Sequence, residues 1–410
     1  MRSVSTNKIL ILNHVFWPDQ QNTARHISEL ASELVKRGWD VTASVGNRSY
    51  LNHRKKFFPM KGMWNGVSYI RIKTPPLDQK SNAQRLMTSL WLIFSWILKL
   101  PRLGKFDIII IGTNPPFAYL LVPFLKMIKR KSKIILWGFD LYPEAIMASG
   151  SQTWKFAGKI IKPVTILCHK QLDILVDIGS CMRAIYRSYR HGAKEVTLTP
   201  WSFVEPSKIS LPHPETRKLL FGDSKVTLLY SGTIGKAHEF ENFFLLAREL
   251  RRRKALVALC FAGLGNQFAN IKRLVTSEDT NISFGDFVNS DEELTKRISA
   301  ADFMLISLKE SWTGISVPSK FFGAIASGKA IIFSGSEKSS LRELTEKYEF
   351  GYHLTRENIT RTADQLSEIA ENPEIMHRLQ LNAFNAYKSF FSKEIICNKW
   401  DKILHEAINS

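Results

Sequence analysis

The sequence predicts an α/β protein made of two doubly wound, mostly parallel sheets that face a cleft. Three observations carry this expectation. Short apolar runs alternate with helical patterns along the chain, the signature of strand-helix-strand units. Runs such as Phe106 to Gly112 (FDIIIIG) and Lys133 to Trp137 (KIILW) are too continuously apolar for a sheet that is wet on one side, so helices should cover both faces. The pattern lapses between Thr199 and His213, which holds Pro200, Pro206 and Pro212, and then starts again. A length of 410 residues allows two to three domains with ordinary cores.

In order, Lys8 to Asn13 is a first strand and Asn22 to Arg37 an amphipathic helix that ends at Gly38. Trp39 to Val45, Phe106 to Gly112, Lys133 to Trp137 and Leu172 to Ile178 follow as strands, with a helix from Cys181 to Tyr189. After the proline-rich linker come Val226 to Ser231, Val257 to Ala262, Ile282 to Phe284, Phe303 to Ser307 and Ala330 to Ser334. In doubly wound sheets ligands bind at the carboxyl ends of the strands, so loops at those ends are the candidate site.

The formal net charge of +20 is unevenly spread. Residues 1 to 200 hold 30 Lys+Arg against 11 Asp+Glu, which is +19; residues 201 to 410 hold 27 against 26, which is +1. The first half therefore suits an anionic partner: a lipid surface, a phosphorylated substrate or, less well, nucleic acid. Clusters such as Arg54-Lys55-Lys56 and Lys129-Arg130-Lys131 sit inside patterned sequence, without an aromatic RNA-binding run, zinc spacing or basic tail, and no nucleic-acid partner is expected. Cys168, Cys181, Cys260 and Cys397 lack ligand spacing and read as reduced thiols of a cytoplasmic protein. No signal peptide or membrane-spanning segment is expected. The apolar stretch Leu86 to Leu98 is either a buried helix of the core or a helix lying in a bilayer surface, with Trp91 and Trp96 at headgroup depth; Phe117 to Ile128 has the same two readings.

Four loops hold polar groups where chemistry can sit. Ser231 to Lys236 follows a buried strand; its glycines let backbone N–H groups approach an anion, and Lys236 adds a charge, although an ordinary tight turn explains the pattern equally well. Thr313 to Lys320 opens a helix, with Ser316 or Ser319 as cap and Lys320 as a second cation. Together the two loops suit a diphosphate. Asp140 follows the strand Lys133 to Trp137 and is either a helix cap or a carboxylate presented to the cleft. The first strand ends in an aromatic loop holding His14, Trp17 and Asp19, suited to stacking on a sugar. His14 and Asp19 are either catalytic there or hold the loop by hydrogen bonds.

The succession Asp140-Leu-Tyr-Pro-Glu144, Tyr-Ser-Gly-Thr-Ile-Gly235, Phe-Ala-Gly-Leu-Gly265, Ser-Ala-Ala-Asp302 and Val-Pro-Ser-Lys320 resembles the family-four retaining glycosyltransferases of the GT-B fold, in the flavour of bacterial exopolysaccharide, colanic-acid and O-antigen assembly. The resemblance implies two Rossmann-like domains: residues 1–205 bind the acceptor and 206–385 a nucleotide sugar, with 386–410, including the helix Ser392 to Ile408, packing back on the first. It implies transfer of a glycosyl unit from a nucleoside diphosphate sugar to a hydroxyl of a lipid-linked or other glycan acceptor with retention. No metal or other cofactor is implied, and the protein would sit peripherally on an anionic membrane surface at its cytoplasmic face. Asp140 would orient groups or exchange a proton near the reacting sugar. Lys320 would stabilise the leaving diphosphate, with Gly232, Thr233, Gly235, Lys236, Gly265, Ser316, Val317 and Ser319 on the donor side and His14, Trp17 and Asp19 on the acceptor side.

The chain also departs from that family. The two glutamates usual there fall on Ile315 and Gly323, and the second normally grips the ribose. The usual Arg and Lys after the first glycine of the second domain are missing, and Gln20-Gln21-Asn22 replaces the N-terminal glycine-rich loop. These losses keep a non-catalytic assembly partner open as an alternative; a GT-B nucleotide-sugar epimerase, which would explain two Rossmann-like domains but not the basic first half, is another.

Overall fold

Strands with neighbours on both edges and helices on both faces bury every side chain, and the run Ile108 to Ile111 is completely buried in this way. The computed structural model describes residues 6–50, 53, 56–79, 81–149, 152–265, 267–288 and 290–409; Arg54 and Lys55 lie outside them. Two compact units emerge. The first holds the chain as far as Thr199, together with Gly314–Val317 and Ile396–Ser410; the second holds Pro200–Thr313 and Pro318–Ile395.

The strands of the first unit are β1 (Lys8–Leu12), β2 (Asp40–Gly46), β3 (Lys61–Trp64), β4 (Val67–Ile72), β5 (Ile108–Gly112), β6 (Lys133–Trp137), β7 (Ile174–Asp177) and β8 (Lys194–Thr197). They lie in the order β3-β4-β2-β1-β5-β6-β7-β8, with β3 antiparallel to β4 and the other pairs parallel. The helices are α1 (Asn22–Lys36), α2 (Asn82–Lys99), α3 (Val122–Ile128), α4 (Glu144–Ser149), α5 (Gln152–His169) and α6 (Ser180–Arg187). The strand order reverses between β1 and β5, which places a crevice at their carboxyl ends.

The second unit repeats the plan with β9 (Val226–Thr233), β10 (Val257–Leu264), β11 (Ile282–Gly285), β12 (Phe303–Ser307), β13 (Ala330–Ser334) and β14 (Gly351–Leu354), all parallel in the order β11-β10-β9-β12-β13-β14. Its helices are α7 (Pro214–Phe221), α8 (Glu241–Arg252), α9 (Phe268–Arg273), α10 (Asp291–Ser299), α11 (Lys320–Ala326), α12 (Ser340–Lys347), α13 (Ile359–Glu371) and α14 (Pro373–Ala386). Here the reversal falls between β9 and β12. Tyr230, Phe240, Phe243, Phe244 and Phe261 anchor the core beside it. The last helix, α15 (Lys393–Asn409), carries Trp400 against Trp137 of β6 and Asp401, which accepts a hydrogen bond from Trp39 Nε1 at 2.7 Å.

Several elements differ from the sequence expectation. The stretch Phe117 to Ile128 is not one helix: a 3-10 turn at Ala118–Leu121 precedes α3, after Phe117 in a left-handed conformation (φ 66°). Leu86 to Leu98 lies within the longer α2, which is buried along one side only. Trp96 is fully buried and donates to Ser44 Oγ at 3.0 Å, which removes it from any membrane surface; Trp91 stands outside, its indole donating to Lys73 O at 2.7 Å.

Candidate functional site

In the second unit β9 continues through Gly232 and Thr233, paired with Gly263 and Leu264, so the expected loop after Ser231 starts two residues later. Tight contact between the two strand ends imposes this. Gly265 has φ +142°, and a Cβ there would stand 2.2 Å from Ile234 O. This close packing accounts for the need for glycine at Gly265.

The segment from Ile234 to Phe240 is pinned across the switch point. Glu239 N donates to Ser307 Oγ at 2.8 Å, at the end of β12, and Lys309 N donates to Ala237 O at 2.8 Å. Gly235 N already donates to His238 Nδ1 at 3.0 Å, so it is not one of the amides open to a phosphate. Burial, reinforced by the nearby charge of Lys320, lowers the His238 pKa to about 3, which keeps the ring neutral and able to accept that bond. Thr233 O accepts from the Tyr230 hydroxyl, and Thr233 and Lys236 are exposed. Helix α8 begins only at Glu241, so its N-terminus does not follow the glycines directly.

Lys320 is the exceptional group. Its ammonium is buried and, among the described residues, has no hydrogen-bond partner. It rests 3.8 Å from the centre of the Tyr230 ring and 3.4 Å from where a Cβ on Gly232 would stand. Gly232, at φ +132°, thus gives the cation a clear approach to the strand end. A cation over a phenol ring gains about 0.5–2 kcal/mol, less than a buried charge loses by leaving water. Desolvation accordingly lowers the Lys320 pKa from 10.5 to about 7. An anion bound at this spot would remove the deficit. Ser319 precedes α11 without capping it through its side chain.

Ser316 and Val317 are placed differently from the expectation that they line the donor side. Gly314–Val317 belongs to the first unit. Ser316 makes an antiparallel bridge with Asp140, and Leu141 N donates to Ile315 O at 2.9 Å. The backbone of Ile315 and Ser316 is thus committed to the strip that carries Asp140. Gly323, inside α11, is half-buried, and a Cβ there would make ordinary van der Waals contact with Ser202 Oγ, 3.9 Å away.

In the first unit Asp140 does not cap a helix through its carboxylate in any described contact; Phe139 N and Asp140 N both donate to Thr113 Oγ1, which fixes the turn beyond β6. Surrounding protein raises the Asp140 pKa to about 6 by desolvation, against the pull of the Arg85 guanidinium. Arg85, from α2, bonds the Tyr50 hydroxyl, and Tyr142 completes the group. A carboxylate poised near neutrality beside an arginine and two phenols can hold or release a proton and can orient a hydroxyl.

His14 and Asp19 are buried, whereas Trp17 is partly exposed. Asp19 accepts from Gln20 N and Tyr50 N, so its carboxylate ties the loop together. Trp17 stacks on Trp64 at 5.5 Å, leaving its outer face for a ring. His14 lies beside Tyr50 and His53, and burial lowers its pKa to about 3; it is a neutral group whose Nε2 has no partner among the described residues.

The fold has counterparts among solved structures. Sucrose-phosphate synthase from Thermosynechococcus elongatus superposes with a TM-score of 0.73 at 15% identity, covering 98% of each chain. WaaG, a glycosyltransferase involved in lipopolysaccharide biosynthesis, superposes with a TM-score of 0.64 at 13% identity over 97% of this chain and 99% of that one. The fold is GT-B. Within this GT-B chain, residues 214–386 carry a domain that matches the family model described as glycosyl transferases group 1. Among curated proteins, "Probable glycosyltransferase WbjE" of Pseudomonas aeruginosa is 22% identical over 317 residues, spanning 73% of this chain and 78% of that protein.

Sequence reasoning missed Arg85, Tyr50, Tyr142, Tyr230 and His238. Arg85 and Tyr50 come from elements distant in sequence that no local spacing announces, whereas Tyr142, two residues after Asp140, lies within the Asp140 to Glu144 run and was given no role. Tyr230 and His238 flank the Gly232 loop, and a histidine three residues beyond Gly235 was the available signal.

Proposed function

We propose that the chain transfers a glycosyl unit from a nucleoside diphosphate sugar to a hydroxyl of a lipid-linked glycan acceptor, with retention, in cell-surface polysaccharide biosynthesis. The observation that carries the reading is the buried, unpartnered ammonium of Lys320 beside Gly232. Such a cation favours the transition state because charge develops on the departing diphosphate, and a preorganised cation in a dry site stabilises it without reorganisation. The group 1 match over residues 214–386 and the names of the relatives support the same reaction class.

In this reading Lys320 and the amides near Gly232 take the diphosphate without a metal ion, and Asp140, with Arg85, Tyr50 and Tyr142, serves the acceptor as an orienting or acid/base group. The protein binds peripherally to the cytoplasmic face of the membrane that carries the acceptor. Gly323 favours a second reading, a non-catalytic assembly partner, because no carboxylate stands there.

The test is a thermal-shift panel of UDP, GDP and dTDP, followed by turnover of the matching sugars with polyprenyl-diphosphate glycans and by NMR of the product anomer. Stabilisation by one nucleoside diphosphate, lost in Lys320→Met, and a retained anomeric configuration formed in EDTA are expected. Absence of nucleotide binding and of product across the panel contradicts the proposal. Nucleotide binding without turnover selects the second reading.

A further inference from the structure

α2 and α5 both pack against the turn Ala118–Leu121. Their amino ends meet around Phe117, where Arg85 and Leu86 of α2 and Trp154 of α5 line one recess. α2 is apolar on both sides, burying Leu92, Ile93 and Trp96, whereas α5 is amphipathic in the reverse sense. α5 buries Gly158, Thr165, Cys168 and His169, which are small or polar, and turns Phe156, Ile160, Val164 and Leu167 to solvent. On α2, Met87, Leu90, Trp91, Phe94 and Leu98 form the outer stripe. These nine side chains are 46–67% exposed and recur at three- and four-residue spacing. Water-soluble surfaces rarely carry a contiguous apolar patch of this extent without a partner.

Charge identifies the partner. Neither helix contains an acidic residue, and Lys155 and Lys159 on α5, Lys99 in the last turn of α2 and Arg102 just beyond it are exposed beside the stripes. From Gln79 to Leu172 the sequence holds 14 Lys+Arg against three acids, Asp107, Asp140 and Glu144. A second copy would bring the same cations against these. A bilayer with anionic headgroups offers both an apolar interior and the opposite charge.

We infer that α2 and α5 together form one face that lies in the surface of an anionic lipid bilayer. The helices lie along the interface; among the described residues no helix is long and apolar enough to cross a membrane. The inference rests on the lipid-linked acceptor proposed above and adds α5 and the orientation: Arg85, next to Asp140, sits at the amino end of the embedded α2, close to headgroup level.

Vesicle flotation of the full chain tests it, with phosphatidylcholine alone and with phosphatidylglycerol added. Binding to the anionic vesicles is expected, at least tenfold weaker in the double variant Phe156→Ser/Ile160→Ser and in Lys155→Glu/Lys159→Glu. Circular-dichroism melting and the nucleotide thermal shift of both variants should match wild type. Failure of wild type to float, flotation of both variants equal to wild type, or a wild-type dimer that Ile160→Ser disperses in place of vesicle binding would overturn the inference. Vesicle binding without any nucleotide response leaves this face standing and removes the transferase reading; a nucleotide response without vesicle binding does the reverse.

Discussion

α5 and α8 are surface helices of two units built on one plan, and they turn opposite faces to water. α8 buries Phe243, Phe244, Leu246, Ala247 and Leu250 and leaves Arg252 outside; α5 buries a glycine, a threonine, a cysteine and a histidine and leaves its large apolar side chains outside. The same division appears in the charge, +19 in residues 1 to 200 and +1 in the remainder. It also appears in the polar groups beside each switch point: Asp140 in the first unit, Lys320 in the second, each shifted toward neutrality by burial.

The largest effect that can break this comparison is in the core. Phe243→Ala should cost about 3–5 kcal/mol, whereas Phe156→Ala on α5 should change stability by less than about 0.5 kcal/mol. Urea midpoints measure both, and equal losses would mean that α5 is packed like α8. Next, Lys320→Met should weaken nucleoside diphosphate binding about 100-fold, or about 2.7 kcal/mol, while stabilising the empty protein by roughly 1–3 kcal/mol, because an unpaired buried charge is removed. Titration calorimetry and melting without ligand give the two halves of that trade.

The pH dependence is of intermediate size. With a folded pKa of about 7 against 10.5 unfolded, Lys320 sheds its proton in the empty protein above pH 7 while the unfolded chain keeps it. Stability of the empty protein therefore rises from pH 7 toward pH 10, and Lys320→Met removes that part of the slope. Anion binding needs the proton, so nucleotide affinity falls by up to about tenfold per pH unit above 7. Turnover should fall as pH drops through about 6, where Asp140 protonates, and Asp140→Asn should abolish this limb of the profile. The smallest effect is expected at Gly323: Gly323→Glu replaces a helix-interior glycine where a Cβ meets only an ordinary contact with Ser202 Oγ, so stability should stay constant or rise by up to about 1 kcal/mol in a thermal melt.

Continuous apolar strands were legible because burial on both faces leaves no other pattern. The ends of β6 coincide with the expected Lys133 to Trp137. The hairpin β3-β4 was missed although Asn65-Gly66, both at positive φ, is a turn signal. α5 was missed because its outward stripe, interrupted by Gly158 and Pro163, does not resemble a core helix. At the site, Lys320 and Gly232 could be named from loop chemistry, but their 3.4 Å approach and the capture of Gly235 N by His238 depend on how β9 and β10 end together. Arg85 reaches Asp140 from 55 residues away in sequence, beyond any local rule.

The central claim is that Lys320 supplies the charge that meets a diphosphate, and proton linkage tests it most directly. Calorimetric titration of the best-binding nucleoside diphosphate at pH 8, in two buffers of different ionisation enthalpy, reports protons taken up on binding. Wild type should take up close to one proton, and the residual weak binding of Lys320→Met none. Tight binding by wild type with no proton uptake, or equal uptake by the variant, would contradict the account.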